Sequence, residues 1–337
     1  MLNVALIGFG GITRVHRSAY LELEKRNIAR LVAAFDVDPS AYEKKQKINI
    51  DAGVDSAEEK VNFYSSLDEM LASEKIDFVD ICIPTFLHSD MAVDMLSRGY
   101  HVMCEKPMAL NYAECERMLR AAEESGRELM IGQCMRFAPE YDFIKAAISD
   151  GRFGKVIGAL FTRLSAPPTW GWENWFMNPE RSGGCLTDLH IHDVDLIRYL
   201  FGEPEAVSVS ASSSVCVNDT VHSSFCYGAY PVTAIGDWTL SGMNFSAVGR
   251  VNFERASLTV DDSGLTVYPK ESGEPYKVEL PREGMYYLEL EYFSRVVSGE
   301  FKNEKNPPSS AAKTIRLIEL MRESINKNGE KILLSKG

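Results

Sequence analysis

Gly8-Phe9-Gly10-Gly11-Ile12-Thr13 follows an apolar run and opens an amphipathic stretch, a spacing suited to holding a phosphate. Glycines there let the chain turn tightly and bring backbone N–H groups and the positive end of a helix against a pyrophosphate. The match to G-x-G-x-x-G is incomplete, because Thr13 stands where the third glycine belongs. A tight strand-to-helix turn without a ligand is the competing reading. Asp36, closing a second apolar run in Leu31-Val32-Ala33-Ala34-Phe35-Asp36, favours the first reading. A carboxylate at that place accepts hydrogen bonds from adenosine ribose hydroxyls and repels a 2′-phosphate. No arginine follows immediately, which favours NAD over NADP, although Lys44 and Lys45 are close enough in sequence to reach a phosphate. Asp36 could instead cap a helix before Pro39, a role better suited to Asp38.

Two further segments carry groups that handle protons and charge. Lys106, in Glu105-Lys106-Pro107, falls at the carboxyl end of an expected strand, where ligands of a doubly wound sheet bind. Its ammonium can hydrogen-bond a substrate oxygen and stabilise negative charge developing there. A cis bond before Pro107 would fix the direction of the lysine; an exposed loop lysine is the competing reading. In Gly183-Gly184-Cys185-Leu186-Thr187-Asp188-Leu189-His190-Ile191-His192-Asp193, a glycine turn leads into helical periodicity, and the pattern predicts one helix over 186–201 that stops at Gly202. His192 titrates near neutrality and can take the proton that leaves an alcohol while hydride leaves its carbon. Asp188, four residues earlier, is spaced to orient that imidazole. Leu186, Leu189, Val194, Ile197, Leu200 and Phe201 share the apolar face; Asp188, His192, Asp195 and Tyr199 share the opposite one, which a solvated surface would also explain. His190 and Asp193 fall near the apolar side and are spaced to satisfy one another. On a helix His190 and His192 point about 160° apart, so one metal ion could not easily take both, and no metal site is assigned. His16, His88 and His101 read as cofactor-edge, strand or helix-packing residues.

The elements that must position these groups show in the hydrophobic pattern. Strand-like runs at 3–7, 30–35, 78–83, 101–104 and 128–132 alternate with helical patterns at 12–26, 67–73, 87–98 and 111–125. That alternation implies an α/β Rossmann domain, a parallel doubly wound sheet with helices on both faces. A helix near 139–149 ends at Gly151; strands dominate 155–280, and helical patterns at 285–298 and 309–326 follow. Strands gathered apart from helices imply an α+β domain with a large, mostly antiparallel sheet. A length of 337 residues suits two domains. The division falls at a nucleotide-binding domain over 1–130 and a substrate-binding and oligomerisation domain over 131–337. The formal charge of −12 argues against nucleic acid and an anionic membrane surface as partners. Cysteines 82, 104, 115, 134, 185, 216 and 226 are odd in number and lack C-x-x-C spacing, which reads as reduced thiols. The chain opens directly into a strand-like run and holds no apolar stretch long enough to span a bilayer, so a soluble cytoplasmic protein is expected.

With the opening turn, three segments resemble the Gfo/Idh/MocA oxidoreductase family, which includes glucose–fructose oxidoreductase and inositol dehydrogenase. They are Asp80-Ile81-Cys82-Ile83-Pro84-Thr85-Phe86-Leu87-His88, Gly99-Tyr100-His101-Val102-Met103-Cys104-Glu105-Lys106-Pro107-Met108-Ala109, and the segment from Gly183 to Asp193. The order and spacing match from Val4 to the closing helices, with Glu-Lys-Pro and Asp-x-x-x-His the most diagnostic pieces. The resemblance implies NAD(P)-dependent hydride transfer at a sugar, inositol or related polyol carbon. It places Lys106 at the family's catalytic lysine, and Asp188 and His192 at its acid and histidine. It further implies that Pro84, Thr85, His88 and Glu105 line the nicotinamide half of the cofactor site, with Lys106 beside them. Thr13, and His190 where many members carry glycine, depart from the pattern without touching the presumed chemistry. A homodimer or homotetramer is expected by resemblance only.

Substrate contacts are harder to place. Pro167-Pro168-Thr169-Trp170-Gly171-Trp172-Glu173-Asn174-Trp175-Phe176 holds three of the four tryptophans. Trp170 could face a sugar ring with Asn174 or Glu173 supplying hydrogen bonds, or the segment could plug an interface. Arg136 and Tyr287 are further candidates. Two other functions remain open: a glycosidase of the same fold that retains its NAD and shows no net redox, and a non-catalytic NAD- or sugar-sensing regulator. A metal hydrolase is the remaining alternative.

Overall fold

A computed structural model describes residues 1–43, 61–271 and 273–334. Lys44 and Lys45 lie outside the described residues.

By contact the chain forms two compact units. The first comprises Met1–Cys134, Trp170–Trp175 and Glu283–Ile315, and the second Met135–Thr169, Phe176–Arg282 and Arg316–Gly337. The first unit is built on β1 (Leu2–Ile7), α1 (Thr13–Lys25), β2 (Ala29–Phe35), β3 (Asn62–Tyr64), α2 (Leu67–Ser73), β4 (Phe78–Ile81), α3 (His88–Ser97), β5 (His101–Glu105), α4 (Tyr112–Ser125) and β6 (Leu129–Gly132). Among the described residues its sheet has the order β3-β2-β1-β4-β5-β6, with every pairing parallel. That is the doubly wound order, and it reverses between β1 and β4, where such sheets bind ligands outside the strands' carboxyl ends. β4, β6 and most of β5 are fully buried, as continuous apolar runs in a covered parallel sheet should be. The helices begin where local chemistry dictates: Ser66 caps α2 by accepting the Glu69 amide, Asn111 caps α4 by accepting the Glu114 amide, and left-handed Gly126 ends α4.

The segment Glu283–Ile315 was read from sequence as part of the second domain, yet it packs within the first unit. Its helix Met285–Val297 lies on α1, and Phe293 meets Phe78 edge-on at 5.1 Å between ring centroids. Helical periodicity gives an apolar face but does not say which sheet will cover it.

The second unit contains α5 (Pro139–Asp150), β7 (Val156–Leu164), α6 (Pro179–Ser182), α7 (Gly184–Asp188), α8 (Ile191–Phe201), β8 (Ala206–Ser212), β9 (Thr220–Cys226), β10 (Pro231–Asp237), β11 (Ser246–Phe253), β12 (Ala256–Asp261), β13 (Gly264–Pro269) and β14 (Tyr276–Lys277). Then come α9 (Met285–Val297), α10 (Pro308–Asn326), which runs from the first unit into the second, and β15 (Ile332–Leu333). The described strands form one sheet in the order β14-β13-β12-β11-β7-β10-β9-β8-β15. All its pairings are antiparallel except β10 with β7. Burial alternates along β9, β10 and β12, the period of a sheet with one covered face. Phe161 on β7 meets Tyr141 of α5 and Phe201 of α8, so those helices cover that face.

The single helix expected over 186–201 is two. α7 ends at Asp188, Leu189 and His190 form a turn that keeps right-handed dihedrals, and α8 begins at Ile191. All seven cysteines are free, and no described helix is long and apolar enough to cross a membrane.

Candidate functional site

The glycine turn occupies the end of β1, at the point where strand order reverses. Gly8 has φ +92°, and a Cβ there would lie 2.6 Å from the Cys82 carbonyl oxygen just beyond β4. Only glycine fits that backbone and that approach. Gly8→Ala is expected to cost about 1–3 kcal/mol in backbone strain alone and to weaken NADH binding by about tenfold or more as the turn is displaced. Thermal unfolding and NADH fluorescence titration read the two effects. A Cβ on Gly10, by contrast, would meet nothing within 4 Å, so that side of the turn faces open space.

Thr13 resolves the departure from the glycine motif. Its side chain is buried, and its hydroxyl donates to the Gly10 carbonyl, closing the turn from inside. It therefore braces the loop rather than offering a hydroxyl to a ligand. Ile12 enters α1 with no side-chain cap, and no acidic residue occupies the first helical turn. The positive helix end is thus left to other partners. Phe9 is buried, its ring clustered with Tyr42 and Phe63 at centroid distances of 5.5 and 5.7 Å. Asp36 ties β2 to this turn: Oδ2 accepts the Phe9 amide at 2.8 Å and Oδ1 accepts the Asp38 amide at 2.8 Å. Asp38 itself caps the next bend through Ser40, as the sequence suggested.

Beyond β5, the Lys106–Pro107 bond is cis, as the sequence reading entertained. Glu105 is buried, and its Oε2 accepts the Lys106 amide at 3.1 Å; Lys106 is half-buried. His88 is fully enclosed, with the Pro107 carbonyl 2.7 Å from Nδ1 and the Ile83 carbonyl 2.8 Å from Nε2. Burial holds it below the usual imidazole range. Its ring therefore packs between the loops after β4 and β5, able as a neutral imidazole to donate to one of these carbonyls, and lies inside the protein rather than lining a ligand surface. Pro84 and Thr85 start the short turn that leads into α3.

Buried polar atoms at this end of the sheet without a protein partner include Thr85 Oγ1, after β4, and Gln133 Nε2, directly after β6. Gly132 pairs with Glu105, so Gln133 and Lys106 leave adjacent strands at the same level. Orphaned buried groups of this kind are costly unless a ligand or water completes them. Sequence reasoning missed Gln133, which carries no motif; its orphaned amide emerges only from the fold. The open Gly10, the uncapped helix, Asp36, Thr85 and Gln133 together fit a dinucleotide.

In the second unit, Asp188 closes α7 almost fully buried, while His192 is part-exposed in the first turn of α8. Other members of the expected stripe behave differently. Asp195 is 1% exposed and takes a two-pronged ion pair from Arg136, Nε to Oδ2 and Nη2 to Oδ1, both at 2.7 Å. Arg136, proposed from sequence as a substrate contact, is therefore occupied inside the unit, anchoring α8; its guanidinium also lies 5.5 Å from the Tyr199 ring centroid. The expected His190–Asp193 pair does not form. Asp193 is held by Arg163 through two bonds of 3.0 Å. His190 Nε2 shares a 2.8 Å hydrogen bond with Ser223 Oγ, and burial lowers its pKa to about 4, so it packs as a neutral ring. A helical wheel gives direction but cannot know which sheet residue will meet it.

Tyr287 is buried in the first unit with Arg26 4.8 Å over its ring. Arg26 follows the carboxyl end of α1, the opposite end from the glycine turn, so this tyrosine is not beside the phosphate-binding loop. In the tryptophan segment, Trp172 is 51% exposed and Trp175 is buried, while Glu173 and Asn174 adopt left-handed dihedrals. His101 sits at the start of β5 and accepts the Glu128 amide at 2.9 Å, a packing role at the far end of the strand.

Comparison with known proteins agrees with this architecture. Residues 2–133 match the oxidoreductase family with an NAD-binding Rossmann fold, and residues 141–254 match the GFO/IDH/MocA C-terminal domain. The chain is 33% identical over 222 residues to inositol 2-dehydrogenase of Rhizobium meliloti, covering 65% of this chain and 61% of that protein. It is 34% identical over 152 residues to 2,7-anhydro-N-acetylneuraminate hydratase of Escherichia coli, covering 43% of this chain and 39% of that protein. The matches thus span about three fifths or less of these relatives' own length. Among solved structures, the aldose–aldose oxidoreductase of Caulobacter crescentus complexed with glycerol superposes with a TM-score of 0.83 at 23% identity, over 99% of both chains. Levoglucosan dehydrogenase complexed with NADH and levoglucosan gives 0.82 at 20% identity, over 99% of this chain and 100% of that one. With an NAD-binding Rossmann domain followed by the matching C-terminal domain, the chain belongs to the Gfo/Idh/MocA family of oxidoreductases.

Proposed function

We propose that the protein transfers hydride between NAD and a CH–OH carbon of a sugar, inositol or related polyol. The observation that carries this reading is the sheet order: the glycine turn with its tethered Asp36 ends β1 and the Glu105-Lys106-Pro107 loop ends β5, both at the carboxyl edge of one parallel sheet and flanking β4 next to the strand-order reversal. NAD supplies the hydride acceptor when bound. The chain's own residues then bind, orient and manage a proton. The turn amides and the uncapped start of α1 receive the pyrophosphate. Asp36 accepts the ribose hydroxyls, and Thr85 and Gln133 are available for a polar group near the strand ends.

In the proposed reaction, Lys106 hydrogen-bonds the substrate oxygen and stabilises the charge that builds on it as the carbinol proton departs. His192 receives that proton as general base, and Asp188 keeps its imidazole oriented. The names of the relatives support a polyol or sugar substrate: two solved neighbours carry glycerol and levoglucosan, and one relative is an inositol dehydrogenase. The test is formation of NADH across a panel of inositols, aldoses, glycosides and sugar acids. Turnover with at least one polyhydroxylated substrate is expected; none across the panel contradicts the reading.

NAD is favoured over NADP because Asp36 would face a 2′-phosphate. Asp36→Asn keeps an oxygen for the Phe9 amide but removes the charge, so the NAD/NADP ratio of kcat/KM is expected to fall by about tenfold or more. An unchanged ratio would show that discrimination lies elsewhere. A second reading, with no net redox, draws on the hydratase relative. Release of nitrophenol from nitrophenyl glycosides, or hydration of an anhydro-sugar, without accumulating NADH would establish it.

A further inference from the structure

We propose that His16 is a positioning residue for hydride transfer, an imidazolium clamped between Asp80 and Glu105 that fixes, through Glu105, the strand end from which Lys106 projects. This rests on the role given to Lys106 above. His16 is fully buried in the first turn of α1, three residues beyond Thr13. Its Nδ1 lies 2.7 Å from Asp80 Oδ2 on β4, and its Nε2 lies 2.9 Å from Glu105 Oε1 at the end of β5. Ionised carboxylates only accept, so a ring bonded to both must donate from both nitrogens, and only the cationic imidazole can do so. Tyr20, one turn further along α1, donates to the same Asp80 oxygen at 2.9 Å.

The clamp has little freedom. A Cβ added to Gly132 would lie 3.1 Å from Glu105 Oε1 and 3.3 Å from its Cα, so β6 closes the other side. The second Glu105 oxygen holds the Lys106 amide. One ring thus ties together α1, which begins at the phosphate-binding turn, β4, and the residue preceding the lysine. The groups facing it are Asp80 on β4, Cys82 just beyond it, Glu105 on β5, Tyr20 on α1, and Tyr286 on α9, whose ring centroid is 6.0 Å away. Glu289 on α9 adds a further negative charge acting on Tyr20 and Tyr286. Burial is the largest single influence and opposes the charged imidazole, but the charges and hydrogen bonds of Asp80 and Cys82 together raise His16 well above the usual range.

His16, Asp80 and Cys82 also present potential ligand atoms within 4.8 Å of one another. Here, however, Nδ1 and Oδ2 bond directly, and burial with the Asp80 charge pushes the Cys82 thiol up to about 12, so no thiolate is offered. The cluster is a hydrogen-bonded clamp rather than a coordination site.

The experiment uses the full chain labelled with 15N-histidine, together with His16→Gln, Glu105→Gln and the double variant. The ring nitrogens of His16 should both carry protons at about pH 8, above the unperturbed histidine range. Per NADH-binding site, His16→Gln should lower kcat by about ten- to hundredfold, the scale expected of a displaced reacting group, with NADH affinity changed less than about threefold. Glu105→Gln should lose a similar factor, and the double variant no more than the larger single loss. A purely structural histidine would reduce the fraction of competent sites and leave kcat per site unchanged. A kcat per site within about twofold of the parent, additive losses, or an unprotonated His16 nitrogen at about pH 8 overturns the proposal. If the parent itself forms no NADH with any substrate, the functional reading fails, while the ring protonation still decides whether the clamp exists.

Discussion

Replacing Lys106 by methionine should lower kcat by about three orders of magnitude while NADH binding changes little. The substitution keeps most of the side chain's length and apolar stem and removes the ammonium, the group proposed to meet charge on the substrate oxygen. Losing one preorganised donor at such an oxygen costs about 100- to 1000-fold, and losing the local cation as well places the expected loss at the upper end. NADH binding should survive because the turn around Gly8, Asp36 and α1 does not depend on the Lys106 side chain, and its backbone remains held by Glu105. Single-turnover kinetics paired with NADH fluorescence titration separate the two. A kcat within about tenfold of the parent would remove Lys106 from the chemistry.

The second large effect concerns stability. Asp195→Leu leaves the Arg136 guanidinium buried without its carboxylate, and arginine cannot escape by losing its proton. Breaking a buried pair from one side costs about 3–5 kcal/mol, which for a unit of this size lowers Tm by roughly 6–20 °C. Arg198 cannot rescue it: it is a second cation, its Nη1 3.9 Å from Asp195, and it also bonds Glu203. The double replacement Arg136→Met with Asp195→Leu removes both charges and should recover most of the loss. If Arg136→Met alone instead left Tm unchanged and raised KM for substrate, the arginine would be a substrate contact after all. Because Asp195 lies one helical turn beyond His192 on α8, the single variant should also lose activity as that helix loosens.

Much of this architecture was legible before any coordinates. Apolar periodicity placed α2 and most strands of the first sheet within a residue or two, because the covered strands of a parallel sheet are buried along most of their length and read as near-continuous apolar runs. Stops such as Gly151 and Gly202 bounded helices through chemistry that is local in sequence. What escaped was non-local. β3 is three residues long and half-exposed, too short to carry a pattern. The destinations of Arg136, Arg163 and His190 depend on partners 59, 30 and 33 residues away. The helical wheel put Asp193 near the apolar side of α8 and Asp195 on the polar side, yet both are buried, each against an arginine that the wheel does not show. The return of α9 to the first unit, and with it Tyr287, is likewise a choice between two apolar surfaces that periodicity does not distinguish. His16 shows the same limit from the other side: nothing in its neighbourhood in sequence announces two carboxylates 64 and 89 residues later.

In the proposed reaction hydride passes between a carbinol carbon and the nicotinamide ring on this protein. Once a substrate is found, the direct measurement is to deuterate it at the carbon that becomes the carbonyl and follow the label by mass spectrometry. The account predicts that NADH formed by the parent carries one deuterium per turnover and that Lys106→Met slows that transfer without redirecting it. NADH that forms unlabelled, or a product released from the substrate with the deuterium still on its carbon and no exchange with the cofactor, would contradict it.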